Sequence, residues 1–142
     1  MEGSPTALIT QPSPDYILSF TIKPLGVQDG WTSIIHFTTG TNASRLPGIW
    51  FWPGTTKLHI ITGTTAVPNE ENNVPFNLKL NEDSMIEVKV FESSSVILVN
   101  GKIAISNNIG NRAKLDKVKV YVGDPWYPAS NTIISDIVFI SQ

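Results

Sequence analysis

Short segments that alternate apolar and polar residues recur along the chain at roughly ten-residue intervals, separated by Gly, Pro, Asn and Asp. In the clearest segment, residues 15–23, every second residue from Tyr16 to Ile22 is apolar, as on the buried face of a strand. None of the segments shows a convincing 3.6-residue helical period. The pattern therefore predicts an all-β fold, either a sandwich or a barrel.

About nine strands are expected, with residues 76–80 as a short further candidate and residues 64–75 as a long loop. Asn100-Gly101 is the strongest hairpin signal, because a type I′ turn needs positive φ at both central positions. The predicted strands are residues 15–23, 31–39, 48–52, 56–63, 84–92, 96–99, 102–106, 117–122 and 131–141.

The chain has 142 residues, enough for one domain. Residues 1–14 are polar, contain three prolines and lack the basic and apolar regions of a secretory signal. We therefore predict an extended leader over residues 1–14 and a single β-sandwich domain over residues 15–142.

Composition excludes several functions. Charged residues make up 15% of the chain and the net charge is −2, without a basic cluster, so nucleic-acid binding is not expected. The absence of cysteine excludes disulfides, thiolate catalysis and cysteine-ligated zinc. No apolar run approaches the roughly 20 residues of a membrane span.

Three stretches occur in an order that resembles the laminin-G-like branch of the concanavalin-A-like jelly rolls. They are YILSFTIKP followed by GWTSIIHFTTG, then SMIEVKVFESSSVILVNGKIAI, then KVKVYVGDPWYPASNTIISDIVFI. The resemblance covers residues 15–142 and implies a two-sheet antiparallel β-sandwich. It also implies that residues 131–141 return to pair with residues 15–23.

Enzyme activity is not expected. Catalytic members of that superfamily carry E-x-D-x-x-E on one strand, whereas Glu82, Asp83 and Glu87 have a different spacing. Glu87 and Glu92 are an odd number of residues apart, so they face opposite sides of a strand and cannot act as a glycosidase pair.

The remaining polar candidates also favour a non-catalytic protein. His36 and His59 both fall within predicted strands, and we interpret them as packed sheet residues. The chain has no cluster of Asp and Asn resembling a lectin calcium loop, so no cofactor is predicted; calcium remains a candidate ion without a clear site.

The stretch GIWFWPG indicates a ligand site. Strand geometry places Trp50 and Trp52 on one face, and Ile49 and Phe51 on the other. If the isoleucine and phenylalanine face the core, the tryptophans form a flat apolar strip on which a sugar can stack, supported by the 40–47 and 64–75 loops. In the alternative, the tryptophans fill the core between the sheets.

Asp124-Pro125 begins a rigid type I turn that carries Trp126 and Tyr127. This turn either caps one end of the sandwich or forms the lip of a ligand site. The predicted ligand-binding residues are Trp50, Trp52, Trp126, Tyr127, Asn42 and Arg45.

Two functions from different classes follow. The first is a non-catalytic module that binds a glycan or glycoprotein; the second is a structural or adhesion module with a protein partner. The N-glycosylation triplet at Asn42 favours an extracellular or cell-surface location. An intracellular location stays open, because no signal peptide is visible in the sequence.

Overall fold

The computed structural model describes residues 7–9, 15–42, 45–63, 70–91, 93–109 and 118–141. Within these ranges the chain contains strands and no helix, arranged in two antiparallel sheets that form a sandwich. The predicted all-β sandwich is therefore confirmed. The strands are β1 Ala7–Ile9, β2 Tyr16–Pro24, β3 Thr32–Thr38, β4 Gly48–Phe51, β5 Leu58–Ile61, β6 Glu71–Asn73, β7 Ser84–Phe91, β8 Ser94–Val99, β9 Lys102–Asn108, β10 Val118–Val122 and β11 Thr132–Ser141.

The strand order is β1-β10-β3-β4-β5-β6 in the six-stranded sheet and β11-β2-β7-β8-β9 in the five-stranded sheet. β2 and β11 are antiparallel neighbours, with Tyr16 opposite Ser141 and Pro24 opposite Thr132. This pairing confirms the expected return of residues 131–141 to residues 15–23. It leaves β11 at the edge of the five-stranded sheet.

The core lies between the sheets and follows from strand alternation. In β2 the residues of one face are buried, from Tyr16 to Ile22, while the intervening ones are partly exposed. The facing sheet contributes Phe37 of β3, together with Ile49 and Phe51 of β4. Burial of these large apolar side chains supplies the main stabilisation of the fold, at roughly 25 cal/mol per Å² of apolar surface.

The prediction of a strand over residues 76–80 is wrong. The strand in this region is β6, inside the segment predicted as a loop, and it pairs with β5. Its sequence, Glu-Asn-Asn, carries no apolar alternation. It is instead held by the buried Asn72, which donates to Thr62 Oγ1 at 3.0 Å and accepts from Ser95 Oγ at 2.6 Å.

The hairpin at Asn100-Gly101 is confirmed. Both residues have positive φ, 52° and 80°, and they connect Val99 to its partner Lys102. The side chain of Asn100 also accepts a hydrogen bond from the backbone N–H of Met85 at 2.8 Å. Within the predicted leader, β1 pairs with β10, and the rest of residues 1–14 lies outside the described ranges.

Candidate functional site

A bulge in β3 determines which side chains reach the outer face of the six-stranded sheet. Ser33 lies opposite Trp50, but the register then shifts, so that Ile35 lies opposite Ile49. Because of the extra residue, Ile34, both Ser33 and His36 face away from the core. Two polar residues three positions apart are thereby presented on the same side of one strand.

Aromatic residues cover this outer face. Ring centroids are 4.5 Å apart for Trp31 and Trp52, 4.9 Å for Trp31 and His59, and 4.8 Å for Trp52 and His59. Trp50 lies within 6.0 Å of His59 and within 5.1 Å of His36. The shared face of Trp50 and Trp52 is therefore present, and neither residue belongs to the core cluster between the sheets.

Trp50 is only 2% exposed although it lies outside that core. Its six-membered ring lies over Gly48, where an added Cβ would come within 2.6 Å of Cζ3. The guanidinium carbon of Arg45 lies 4.6 Å from the ring centroid on a cation–π contact. Trp50 thus contacts both a glycine and an arginine, and the arginine covers one face of its ring.

Asp124 fixes the turn that crosses this face. Its Oδ1 accepts from the backbone N–H groups of Trp126 at 3.0 Å and Tyr127 at 2.9 Å, so the Asp124 side chain organises this segment. Its backbone N–H donates to Ser33 Oγ at 3.1 Å. Its Oδ2 lies 2.8 Å from His36 Nδ1, and both side chains are fully buried.

These contacts also set the charge of Asp124. Burial alone would raise the pKa of its carboxyl group, but the hydrogen bond from His36 and those from the backbone of Tyr127 and Trp126 outweigh it, so the pKa is lowered. A carboxylate is therefore maintained beneath the turn. The ring centroid of Trp126 lies 5.3 Å from that of His36, and Trp126 is 37% exposed.

His59 is neutral at physiological pH. Burial lowers its pKa, and this outweighs the opposing effects of Asn73 and Glu71; nearby Arg45 lowers it further. Nδ1 lies 2.6 Å from Asn73 Oδ1. Because an amide oxygen only accepts, Nδ1 carries the proton, and the lone pair of Nε2 is left as a hydrogen-bond acceptor.

A pocket of about 210 Å³ opens in the middle of these residues. We call it the first pocket; its described lining consists of Trp31, Arg45, Trp50, His59 and Tyr127. None of these five is a carboxylate. The indole Nε1–H of Trp50 is buried and has no hydrogen-bond partner in the structure. The pocket thus combines apolar rings with a cation, an unsatisfied donor and an imidazole acceptor.

Three of the predicted ligand residues, Arg45, Trp50 and Tyr127, line the first pocket. Trp52 packs against its wall, and Trp126 lies beside it over His36. Asn42 supports Arg45, whose Nε donates to its backbone oxygen at 3.0 Å. Whether any of these residues binds a ligand stays a prediction.

Trp31 and His59 are lining residues that the sequence interpretation did not select. His59 and Ile60 alternate along β5, and the Pro53-Gly54 turn signal favours a hairpin of β4 and β5, but the register that sets His59 opposite Trp50 was not predicted. Residues 43–44 and 64–69 of the two predicted supporting loops lie outside the described residues.

In the part of the chain that the structure describes, no group of three or more His, Cys, Asp or Glu side chains is arranged to hold a metal ion. No helix there is long and apolar enough to cross a membrane.

The described architecture is a jelly-roll-like β-sandwich, and structural comparison places it beside solved sandwich domains. Trypanosoma rangeli sialidase superposes with a TM-score of 0.66 at 15% identity, over 88% of this chain and 20% of the sialidase. A SAP-like pentraxin from Limulus polyphemus gives 0.65 at 11% identity, over 95% and 67% of the two chains. The receptor-binding domain of botulinum neurotoxin type G gives 0.64 at 13%, over 99% and 38%.

These similarities show the fold alone, because all three identities are low. The present chain spans about a fifth of the sialidase chain that it matches. No protein-family model and no curated protein sequence matches the chain.

Proposed function

We propose that this protein is a non-catalytic carbohydrate- or glycoconjugate-binding module and that the first pocket receives a sugar ring. The observation that carries the proposal is the composition of the pocket wall: four aromatic side chains line it, and one of them, Trp50, has a buried indole N–H without a partner. Sugars present apolar C–H faces together with hydroxyl groups, and both features find counterparts in this wall.

A donor or acceptor of the pocket lining can be assigned to each sugar hydroxyl contact from its hydrogen-bonding chemistry. The Trp50 N–H donates to a sugar oxygen, Arg45 donates to a second oxygen, and the Nε2 lone pair of His59 accepts from a hydroxyl. A buried donor without a partner costs about 1–3 kcal/mol, and a sugar oxygen that reaches the Trp50 N–H would offset that cost. The volume of about 210 Å³ is below the roughly 300–1,000 Å³ of pockets for larger ligands, which suits a single ring.

The fold comparisons support the proposal only through the shared fold. Solved structures of the sialidase include a complex with sialic acid, and the botulinum domain binds a receptor. By the resemblance in sequence order, we further propose a laminin-G-like module acting outside the cell or at its surface. No cofactor is part of the proposed site.

A glycan array, read with and without calcium, tests the function. We expect a small set of related glycans to bind equally in both conditions. Trp31→Ala and Tyr127→Ala should each weaken binding about tenfold, as for loss of one aromatic contact. Ile133→Ala is the control, since Ile133 is 53% exposed on the other sheet. Absence of glycan binding at any concentration tested would overturn the proposal.

We also propose that the protein does not hydrolyse its ligand. Glu87 is one of the carboxylates whose spacing differs from that of the catalytic motif. It lies on β7 of the five-stranded sheet and does not line the first pocket. Incubation of the bound glycan with the protein should release no reducing ends. Turnover that disappears in Glu87→Gln would contradict this.

A second candidate function, protein adhesion, is favoured by one observation. The edge strand β11 exposes several apolar side chains: Ile133, Ile137, Val138 and Ile140, at 40–53% exposure. Exposed apolar edges are typical contact surfaces. Val138→Lys should abolish such a contact and leave glycan binding unchanged, so this substitution separates the two functions.

A further inference from the structure

A second pocket adjoins the first on the other side of Trp52. Its volume is about 470 Å³, more than twice that of the first pocket. We call it the second pocket; Trp52, Thr55, Lys57, Asn73 and Pro75 are among the residues that line it. None of its described lining residues is a carboxylate.

The two pockets share a wall. The Trp52 ring, which lines the second pocket, lies 4.5 Å from Trp31 and 4.8 Å from His59, which both line the first. Asn73, also in the second pocket, holds His59 through the 2.6 Å bond to Nδ1. The wall therefore consists of Trp52 on the side of the second pocket and of Trp31 and His59 on the side of the first, and a chain-like ligand can extend across it.

The wall is also rigid. The backbone N–H of Trp52 donates to Lys57 O at 3.1 Å, and the backbone oxygen of Trp52 accepts from Thr55 N at 3.1 Å and from Thr55 Oγ1 at 2.9 Å. These bonds close the turn after β4 and fix the position from which Trp52 extends. Because Trp52 is already held in place, stacking of a ligand on it costs the protein little conformational entropy.

We propose that the second pocket is a binding subsite for the next residues of an oligosaccharide whose terminal ring occupies the first pocket. This inference rests on the proposed function. Trp52 supplies the stacking surface, while Lys57 and the amide N–H groups of Asn73 donate to sugar hydroxyls. The Asn73 oxygen accepts from His59, and the NH2 group of the same side chain supplies the donors. The ligand class is thus a linear oligosaccharide and not a monosaccharide.

The test is affinity against chain length. Calorimetry is performed with the best glycan of the array, with its terminal monosaccharide as a methyl glycoside, and with cello-, chito- and manno-oligosaccharides of increasing length. We expect affinity to rise about tenfold or more from one residue to three, as for one added aromatic contact with its hydrogen bonds. Lys57→Ala and Trp52→Ala should remove most of this gain.

Lys57→Ala should leave the affinity for the monosaccharide unchanged, since Lys57 does not line the first pocket. Lys89→Ala is its matched control on the five-stranded sheet, where the side chain is 39% exposed. If Trp52→Ala fails to fold, Trp52→Phe and Lys57→Ala carry the test. Binding of the monosaccharide with no gain from chain length would overturn the second subsite and leave the proposed function standing. Binding of no glycan would overturn both.

Discussion

His36 Nδ1 and Asp124 Oδ2 are 2.8 Å apart, and neither side chain is exposed to solvent. The pair connects β3, in the middle of the six-stranded sheet, to the turn that brings Tyr127 to the first pocket. Although 88 residues separate the two in sequence, the same carboxylate also organises the turn through its other oxygen. Stability and the shape of the pocket therefore depend on one carboxylate.

Asp124→Ala is expected to lower the free energy of unfolding by about 3 kcal/mol, as for removal of one partner from a buried pair. Glycan binding should weaken too, since the backbone N–H of Tyr127 loses its acceptor. Urea denaturation and calorimetry measure the two effects. Asp29→Ala, at an exposed loop position, is the control. A loss no larger than in that control would show that the pair is not stabilising.

Stability should decline in two steps as the solution is acidified. The pKa of His59 is lowered in the folded protein, so below about pH 6.5 the unfolded chain takes up the proton first. The contribution of His59 is complete at neutral pH and is lost as the pH falls towards its folded pKa. A second decline begins near pH 4 and continues towards the lowered pKa of Asp124.

Unfolding free energies measured by urea titration at a series of pH values test this order. His59→Gln should remove the step nearer neutrality and retain the acidic one. An unchanged upper step in that variant would show that His59 is not its source. In the wild-type protein, glycan affinity should fall over the same upper range, because protonated His59 can no longer accept through Nε2.

Gly48→Ala should displace Trp50, because the new methyl group would enter the space of the indole ring. We expect a loss of stability of about 1–3 kcal/mol, as for overpacking, together with quenching or a shift of tryptophan fluorescence and weaker glycan binding. Gly30→Ala is a matched control, since a Cβ there meets no atom within 4 Å. Equal behaviour of the two variants would contradict the close packing of Trp50 on Gly48.

Gly101→Ala should destabilise the β8–β9 hairpin by about 1–2 kcal/mol, the cost of placing an L side chain in the left-handed region. The φ of Gly101 is 80°, and a Cβ there meets no neighbouring atom, so the cost is conformational and not steric. Thermal unfolding gives the magnitude. Glycan binding should be unaffected in the folded variant, and a melting temperature equal to that of the wild type would argue against the strained turn.

The sequence predicts most of the strands because their signal is local. β2 and β7 alternate between buried and partly exposed or exposed residues, as the two-residue period requires. β6 was missed for a physical reason: Asn72 is fully buried, but its burial is made favourable by hydrogen bonds to Thr62, just after β5, and to Ser95 of β8. Hydrogen bonds between residues that are distant in sequence leave no local sequence pattern.

The candidate site is predicted less completely than the fold. GIWFWPG correctly separates Trp50 and Trp52 from Ile49 and Phe51, since parity within one strand is a local property. Whether Trp50 is covered depends on Arg45, which reaches it from a loop. The position of Tyr127 at the first pocket likewise depends on Asp124, which bonds to Ser33 and His36, two residues that are far away in sequence. These are properties of strand order, which alternation does not encode.

The irregular register of β3 makes the domain tolerant of a change in chain length at one point. Ser33 and His36 are three positions apart, and they share a side because Ile34 is accommodated as a bulge, while Ile35 and Phe37 remain inside. Deleting Ile34 would leave Ser33 and His36 two positions apart, so regular alternation would keep both of them outward and Ile35 inward. A one-residue deletion after His36 would instead move the following residues of β3 to the opposite face and disturb the interior. Change in the length of β3 is therefore expected at the bulge, whereas change in specificity is expected from exchange of side chains around the pocket.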